Sequence, residues 1–385
     1  MGATLPGSNN VGRWSWLGFV AGSDNGESDR SDTSVTLEDL LASARAYYQP
    51  ILGRGLEHLF EPCRDTCPWC GSRQLRVRLR SPDLFQRKPG RFVLEECRSC
   101  GHIFQNPRLT PDGLKFYYRD FYDGLGATVS EYVFSLGADA DRSRAQAVLR
   151  HINPVSWLDV GTGHGHFPLH ARSLLPETHF DGLDIGAGVI EAARLGRIRH
   201  GHRGTFPDFA GQIAEPYDVV SLHHYLEHTR DPRAELDALA SAVRAGGYAE
   251  IEMPDVSCGL ARPLRSLWVP WFQPQHQHFL PLGNLLAALV ERGFAPVSVE
   301  RHGAHSAVDL TFALIFVMTA VAPDPRWPWA RRNGAAWRCR RHELAWTKAF
   351  PPLAAATSRI DGAIDRLLER LDRGNAYRIV ARKER

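Results

Sequence analysis

The stretch that decides the fold runs from Trp157 to Phe167 and reads W-L-D-V-G-T-G-H-G-H-F. Its first four residues form a short apolar run with one acid, the pattern of a strand buried on both faces. Three glycines follow at alternating positions, and the residues from Phe167 to Leu175 can form a helix. Strand, glycine turn and helix make the first unit of a doubly wound α/β domain, whose ligand sits at the carboxyl end of the strand.

The spacing of the glycines separates two kinds of nucleotide site. A dinucleotide fingerprint requires G-x-G-x-x-G, with a helix N-terminus facing a pyrophosphate. Position 166 is His, so that pattern is not met. The glycines instead follow an acid as D-x-G-x-G-x-G, at Asp159, Gly161, Gly163 and Gly165. This form closely resembles motif I of the class I S-adenosylmethionine (SAM)-dependent methyltransferases.

Four further motifs follow in the order and at the spacing of that family. They are a second strand ending at 182–185, a fourth strand at 217–222, the triplet Leu226-Glu227-His228, and a glycine turn at 245–247 before a fifth strand. A single glycine loop would be weak evidence, whereas five motifs in register are specific. The resemblance implies an α/β fold with a seven-stranded, Rossmann-like sheet. Its last strand, at 376–382, is expected to be antiparallel.

The resemblance also implies SAM as the cofactor and indicates which residues bind it. Asp184 comes nineteen residues after Gly165, where an acid can accept hydrogen bonds from ribose hydroxyls. The predicted cofactor-binding residues are Asp159, Gly161, Gly163, Gly165, Asp184, Ile185 and His223.

Two C-x-x-C-G knuckles lie upstream of the methyltransferase motifs. They contain Cys67, Cys70, Cys97 and Cys100, with 26 residues between the two pairs. Four thiolates at this spacing suit tetrahedral zinc, and the glycine after each second Cys permits the positive φ of a tight knuckle. Four protein ligands leave no open coordination position, so we predict a structural zinc in a small, zinc-ribbon-like module.

A zinc module followed by an aromatic stretch and then the methyltransferase motifs resembles one subgroup of the family. That subgroup includes bacterial sugar C-methyltransferases and relatives from natural-product and polysaccharide pathways. In it the aromatic stretch lies over the SAM and substrate cleft, which implies Tyr122 or Tyr117 as a cleft residue here. Packing in the core is the alternative for each tyrosine. The resemblance implies C- or O-methylation of a small-molecule acceptor, such as a sugar or a natural-product or polysaccharide intermediate.

Deprotonation of the acceptor requires a general base, and histidine is suited to it because its pKa lies close to working pH. In the sugar C-methyltransferases the E-H of the L-E-H motif contributes the base, which implies Glu227 and His228 here. The same triplet serves packing or orientation in methyltransferases of very different substrates, so that role stays open. His278 is the second candidate base.

Two other function classes remain open. A nucleic-acid methyltransferase could use the zinc module and the basic tail, since residues 321–385 carry 15 Lys or Arg against 7 acids. The zinc segment, however, lacks interleaved stacking aromatics and dense basic residues, and the net charge is only +3, which disfavours nucleic acid as a partner. The third class is a non-catalytic SAM-binding or interaction module.

The length of 385 residues suggests two to three domains. We expect a disordered arm over 1–33, a helical lead-in over 34–62, the zinc module over 63–108, an aromatic helical lid over 109–145 and the methyltransferase domain over 146–385. A helical insertion at 323–373 precedes the last strand, and its helices are expected to be broken by Pro325, Pro328, Pro351 and Pro352. The sequence leaves the oligomeric state open.

No secretory signal is visible, and the longest apolar run, Val308–Ala322, is short for a membrane span and contains Asp309. We therefore expect a cytoplasmic protein without a membrane partner. In that compartment the seven cysteines are thiols or metal ligands rather than disulfides.

Overall fold

A computed structural model of the chain describes residues 36–122, 137–330 and 335–384. The predicted arm at 1–33 and part of the predicted lid lie outside the described residues. The strands are β1 Leu75–Ser81, β2 Phe92–Cys97, β3 Ile103–Gln105, β4 Ser156–Val160, β5 His179–Asp184, β6 Gly201–Arg203, β7 Tyr217–His223, β8 Val243–Pro254, β9 His278–Phe279, β10 Phe294–Glu300 and β11 Ala376–Lys383. The α-helices are α1 Leu37–Gly53, α2 Pro111–Tyr118, α3 Ala138–Leu149, α4 His166–Ala171, α5 Gly188–Arg194, α6 Phe206–Ala210, α7 Pro232–Ala242, α8 Ala261–Leu264, α9 Leu282–Glu291, α10 Asp309–Val321, α11 Ala335–Leu344 and α12 Phe350–Arg370.

The larger sheet has seven strands in the order β10-β11-β8-β7-β4-β5-β6. Strands β6, β5, β4, β7 and β8 pair in parallel, and β11 lies antiparallel between β10 and β8. Trp157 and Leu158 of β4 are fully buried, as expected for a central strand covered on both faces. The predicted α/β fold with an antiparallel last strand is confirmed. The carboxyl ends of β4, β5 and β7 therefore meet at one edge of the sheet, where a ligand binds in such folds.

The smaller sheet joins the two cysteine knuckles to a distant part of the chain. Its order is β1-β2-β3-β9, and β9 comes from the segment after β8. Ile103 pairs with Phe279 and Phe104 pairs with His278, in antiparallel register. The cysteine-bearing segment and the large domain consequently share one hydrogen-bonded sheet.

The helical insertion before β11 differs from the expectation at its double proline. Helix α11, a π-helical turn at Ala345–Ala349 and helix α12 follow one another without a break. Pro351 and Pro352 lie in the first turn of α12, where a proline is tolerated, so the prediction that they break the helix is wrong. Proline has no amide hydrogen, so Pro351 and Pro352 cannot donate to the preceding turn of the helix. The π-helical turn at Ala345–Ala349 lies directly before them and changes the hydrogen-bond pattern there.

One helical segment of the described chain, His302–Val321, is long and apolar enough to cross a membrane by length and composition. It exceeds the expected apolar run because a 3-10 turn at His302–Ala304 precedes α10. Of its most apolar 18-residue window, 28% is buried within the protein. The Asp361 carboxylate of α12 accepts hydrogen bonds from the first amides of α10, at Leu310 and Thr311, both at 2.9 Å.

Candidate active site

The glycine loop after β4 has a backbone that only glycine adopts readily. Gly161, Gly163 and Gly165 have φ values of 77°, 54° and 72°. A Cβ on Gly161 would lie 2.8 Å from the Tyr225 ring, and one on Gly165 would lie 3.0 Å from the Cβ of Ala192. A Cβ on Gly163 would meet nothing within 4 Å. The two outer glycines are required by close packing, and the middle one faces open space that a ligand can approach.

Asp184 ends β5 beside this loop. Its carboxylate accepts hydrogen bonds from the amides of Gly163 at 3.0 Å and Gly186 at 2.7 Å. These two bonds orient the carboxylate beside the loop, where an acid can accept hydrogen bonds from ribose hydroxyls. The next side chain, Ile185, is 65% exposed and offers an apolar surface for a base. The loop, the acid and the exposed isoleucine together fit a bound SAM molecule.

The structure places two other predicted cofactor residues behind the loop. The Asp159 carboxylate is buried and accepts a hydrogen bond of 2.7 Å from the Ser221 hydroxyl. His223 is held between two acids, with Nδ1 3.6 Å from Asp159 and Nε2 2.9 Å from Glu250. Burial alone would lower the pKa of His223, but Glu250 and Asp159 outweigh it and raise the pKa to about 9. These residues form a charged layer inside the fold that supports the loop.

This layer continues through residues that the sequence analysis did not identify. Glu252 is 1% exposed and forms ion pairs of 2.7 Å with Arg144 and 2.6 Å with Arg378. Burial opposes its ionisation, but the two arginines outweigh burial and hold the pKa of Glu252 far below its usual range. The available signal was the alternation of Glu250 and Glu252 along β8, since acids two apart in a strand share one face.

Beyond β7, the predicted base lies in a buried cluster at the same edge of the sheet. A 3-10 turn at Leu226–His228 carries Glu227, which is fully buried. Its Oε1 is 3.0 Å from Nδ1 of His224, and its Oε2 is buried without a hydrogen-bond partner in the described chain. Nδ1 of His228 is 2.8 Å from the Tyr118 hydroxyl, and the His228 ring stacks edge-on against His276 with centroids 4.5 Å apart.

The hydrogen bonds of this cluster define the tautomer of His228. The Tyr118 hydroxyl donates its only proton to the Gln275 carbonyl at 3.1 Å, because a carbonyl can only accept. The hydroxyl oxygen must then accept a hydrogen bond from Nδ1–H of His228. In this tautomer Nε2 of His228 carries the lone pair. Burial lowers the pKa of His228 although Glu227 opposes the shift, so the imidazole is neutral near pH 7.

The aromatic lid residues divide into core and cleft positions. Tyr117 is buried and donates to the Pro89 carbonyl at 2.7 Å, which is a packing role. Burial, and then the charges of Asp184 and Glu227, raise the pKa of Tyr122, so this tyrosine lies in the field of both the cofactor acid and the Glu227 carboxylate. Within the described part of the lid, Tyr118 contacts His228, whereas the predicted cleft residues were Tyr117 and Tyr122.

The second candidate base lies elsewhere. His278 belongs to β9, and its Nδ1 is 3.2 Å from Nε2 of His102 in the smaller sheet. Burial lowers the pKa of His278 to about 4. The histidine that contacts His228 is instead His276, two residues earlier in the Q-H-Q-H-F stretch.

The four predicted metal ligands converge. The sulfurs of Cys67, Cys70, Cys97 and Cys100 all lie within 4.8 Å of one another. The separations are 3.7 Å for Cys67–Cys100 and 3.5 Å for Cys70–Cys97. Zn–S bonds of about 2.3 Å in a tetrahedron require sulfurs about 3.8 Å apart, so the four thiols fit zinc with small adjustments. The glycine after each knuckle has a positive φ, as predicted.

Comparison with known proteins gives the following likenesses. Residues 131–299 match a family described as a methyltransferase domain. The ubiquinone biosynthesis O-methyltransferase of Cronobacter sakazakii is 37% identical over 97 residues, 24% of this chain and 39% of that protein. Its counterpart from Vibrio vulnificus is 36% identical over 97 residues, 24% of this chain and 40% of that protein. The chain thus spans about two fifths of the length of these relatives. A SAM-dependent methyltransferase structure from Archaeoglobus fulgidus has a TM-score of 0.39 at 16% identity and covers 64% of this chain and 94% of that one.

Proposed function

We propose that this chain, which carries a methyltransferase domain of the class I fold, transfers the methyl group of SAM to a small-molecule acceptor. The observation that carries this proposal is the shared sheet edge. The glycine loop and Asp184 lie on one side of the cleft at this edge, and His228 and Tyr118 lie on the other side. The curated relatives are named O-methyltransferases, which supports a small acceptor with an ionisable hydroxyl.

SAM, when bound, supplies a methyl group already activated on a sulfonium, so the chain has to align the acceptor and remove its proton. The neutral Nε2 of His228 is the acceptor of that proton in our proposal. Glu227 then stabilises the imidazolium, since its negative charge favours the protonated ring. Tyr118 holds the ring in the required tautomer through Nδ1.

The proposed acceptor is a sugar or a natural-product or polysaccharide intermediate. Phe272 lies beside His228 with ring centroids 6.5 Å apart, and it packs against Phe121 at 5.2 Å. Phe272 and Tyr122 are partly exposed and pack against the buried Phe121, so the two offer an aromatic wall against which the apolar face of a sugar ring or a planar ring can stack.

The test is methyl transfer by the zinc-loaded full-length protein and by His228→Gln. We expect SAM affinity by calorimetry to be nearly unchanged in the variant, with turnover reduced on the order of a hundredfold or more. Nucleotide sugars and phenolic intermediates serve as the first two acceptor panels. A parent protein that does not bind SAM would refute the proposal, as would equal turnover by parent and variant.

We also propose that the four thiols hold a structural zinc. Four protein ligands would leave no position for substrate or water, so the metal would stabilise the fold without taking part in methyl transfer.

A further inference from the structure

A cavity of about 80 Å³ lies where the cysteine-bearing segment meets the large domain. Its wall contains two residues of the first knuckle, Pro68 and Trp69, and the first turn of α7. Four arginines and two histidines line it: Arg64, Arg108, Arg230, Arg233, His102 and His278. Such a concentration of guanidinium groups in one small cavity calls for a negatively charged occupant.

The acids nearby do not neutralise these arginines. Arg108 and Arg230 share a single carboxylate, that of Glu61. Asp231 also lines the cavity, but its carboxylate already accepts from the backbone amides of Arg233 and Ala234 at the start of α7. Arg233 also pairs with Glu291 at 3.9 Å, so four cationic side chains face three carboxylates, one of which is engaged by the helix.

Donors remain available at this wall. The guanidinium of Arg64 has no partner in the described chain. Nε of Arg230 is buried and likewise has no hydrogen-bond partner among the described residues. A buried donor without a partner costs free energy, which indicates that a further acceptor binds there.

His278 lies in the positive field of these arginines. Burial, together with the charges of Arg108 and Arg64, lowers the pKa of His278 to about 4. The His278 ring is therefore neutral at pH 7, and the guanidinium groups carry the positive charge of the cavity.

We propose that this cavity binds a phosphoryl group, either as free phosphate or as the phosphate ester of a larger ligand. Arginine forks match tetrahedral oxyanions in geometry and charge. The cavity of about 80 Å³ has room for one such oxyanion. The remainder of a larger ligand would lie outside.

The site is placed to influence the proposed base. Arg230 follows His228 by two residues, and Nη1 of Arg108 donates to the Arg230 carbonyl at 3.2 Å. An anion that bridges these two guanidinium groups would therefore hold the end of the turn that carries His228. This site does not depend on the proposed methyl transfer.

The test is calorimetric titration of inorganic phosphate into the zinc-loaded full-length protein, at constant ionic strength and without SAM or acceptor. We expect one saturable site and about tenfold weaker binding in Arg64→Gln. Arg64 is exposed, so this variant should fold. The matched control is Arg80→Gln, an exposed arginine of the same module without a partner in the described chain, which should bind phosphate as the parent does. Absence of a saturable site, or equal weakening by both substitutions, would overturn the proposal.

A second titration with a sugar monophosphate separates the two sources of the phosphoryl group. Tighter binding than inorganic phosphate, with the same loss in Arg64→Gln, supports a phosphate carried by a larger ligand. Equal or weaker binding with that loss supports free phosphate. Because neither titration contains SAM, failure of methyl transfer would leave these results unaffected.

Discussion

The hydroxyl of Tyr118 lies 2.8 Å from Nδ1 of His228 and donates a hydrogen bond to the Gln275 carbonyl. Tyr118→Phe removes the hydrogen bond that holds His228 in one tautomer. We predict that this substitution lowers turnover by about tenfold and preserves SAM affinity. The control is Tyr117→Phe, which removes a hydroxyl that donates to the Pro89 carbonyl at 2.7 Å within the core. It should cost about 1 kcal/mol of stability in urea unfolding and leave turnover unchanged. Equal turnover in both variants would argue against the role of Tyr118.

The pH dependence of turnover should report His228. Burial places the pKa of His228 below its ordinary value of 6.5, and a base must be neutral to accept a proton. Turnover should therefore rise as pH increases through a pKa below 6.5 and be level above neutrality. The measurement is kcat against pH with saturating SAM and acceptor, and the low-pH limb should disappear in His228→Gln. A midpoint above pH 7 would contradict the proposed base.

The open space beside Gly163 predicts a selective loss of cofactor binding. Gly163→Leu should lower SAM affinity by tenfold or more, because the side chain would fill the approach to the loop. Gly196 also has a positive φ and open space around it, so Gly196→Leu carries the same backbone strain away from the cofactor loop. Calorimetry should show the loss in the first variant only, while melting temperatures fall by similar amounts in both.

The four converging thiols predict about one zinc per chain. Cys97→Ser combined with Cys100→Ser should remove the metal and unfold the smaller sheet, because zinc binding free energy is folding free energy in such sites. Cys63→Ser is the control, since Cys63 is exposed and lies outside the cluster. Elemental analysis and thermal melting provide the readout. Zinc retained by the double variant would show that the ligands are other residues.

The buried acid Glu252 predicts a large effect on stability. Glu252→Gln removes the shortest ion pair of Arg378, which is 1% exposed and keeps only longer pairs in the described chain, to Glu250 at 3.5 Å and Glu300 at 3.3 Å. Breaking such a buried pair costs up to about 3–5 kcal/mol. The depressed pKa of Glu252 has a pH consequence with a defined sign. Its stabilising contribution is present above the unfolded pKa near 4.5 and is lost as pH falls towards the lower folded value. Urea unfolding at several pH values measures the loss of stability and its pH dependence. The control is Glu191→Gln, which removes an exposed ion pair with Arg194 and should show no comparable loss.

The parts of the site that could be predicted from sequence are those encoded by local pattern. The glycine loop and Asp184 belong to a strand-turn-helix unit whose geometry is determined by neighbouring residues, so residue spacing was sufficient. Tyr118 could not be distinguished from Tyr117 and Tyr122, because the direction of each side chain depends on how α2 packs against the turn at Leu226–His228. The same limit applies to His276 and His278, which alternate in sequence and separate only when β9 joins the smaller sheet.

Strand β9 was not predicted because two residues carry no periodic signal. Its assignment to the sheet of the knuckles comes from long-range backbone pairing, opposite Ile103 and Phe104. The arginine cavity is hidden for a similar reason, since its wall combines residues near positions 64, 108 and 230. Neither feature leaves a contiguous pattern along the chain.

The pairing of β3 with β9 also limits how the gene could be cut or recombined. A chain shortened to the matched range, from residue 131, would lose β3 and leave β9 as an unpaired edge. Phe279 and Trp271, both now buried, would be deprived of part of their cover. Unpaired edges and uncovered aromatic rings promote aggregation, so a shortened protein should be poorly soluble. Chimaeras between relatives would have to exchange the knuckles and the 254–281 loop as one piece.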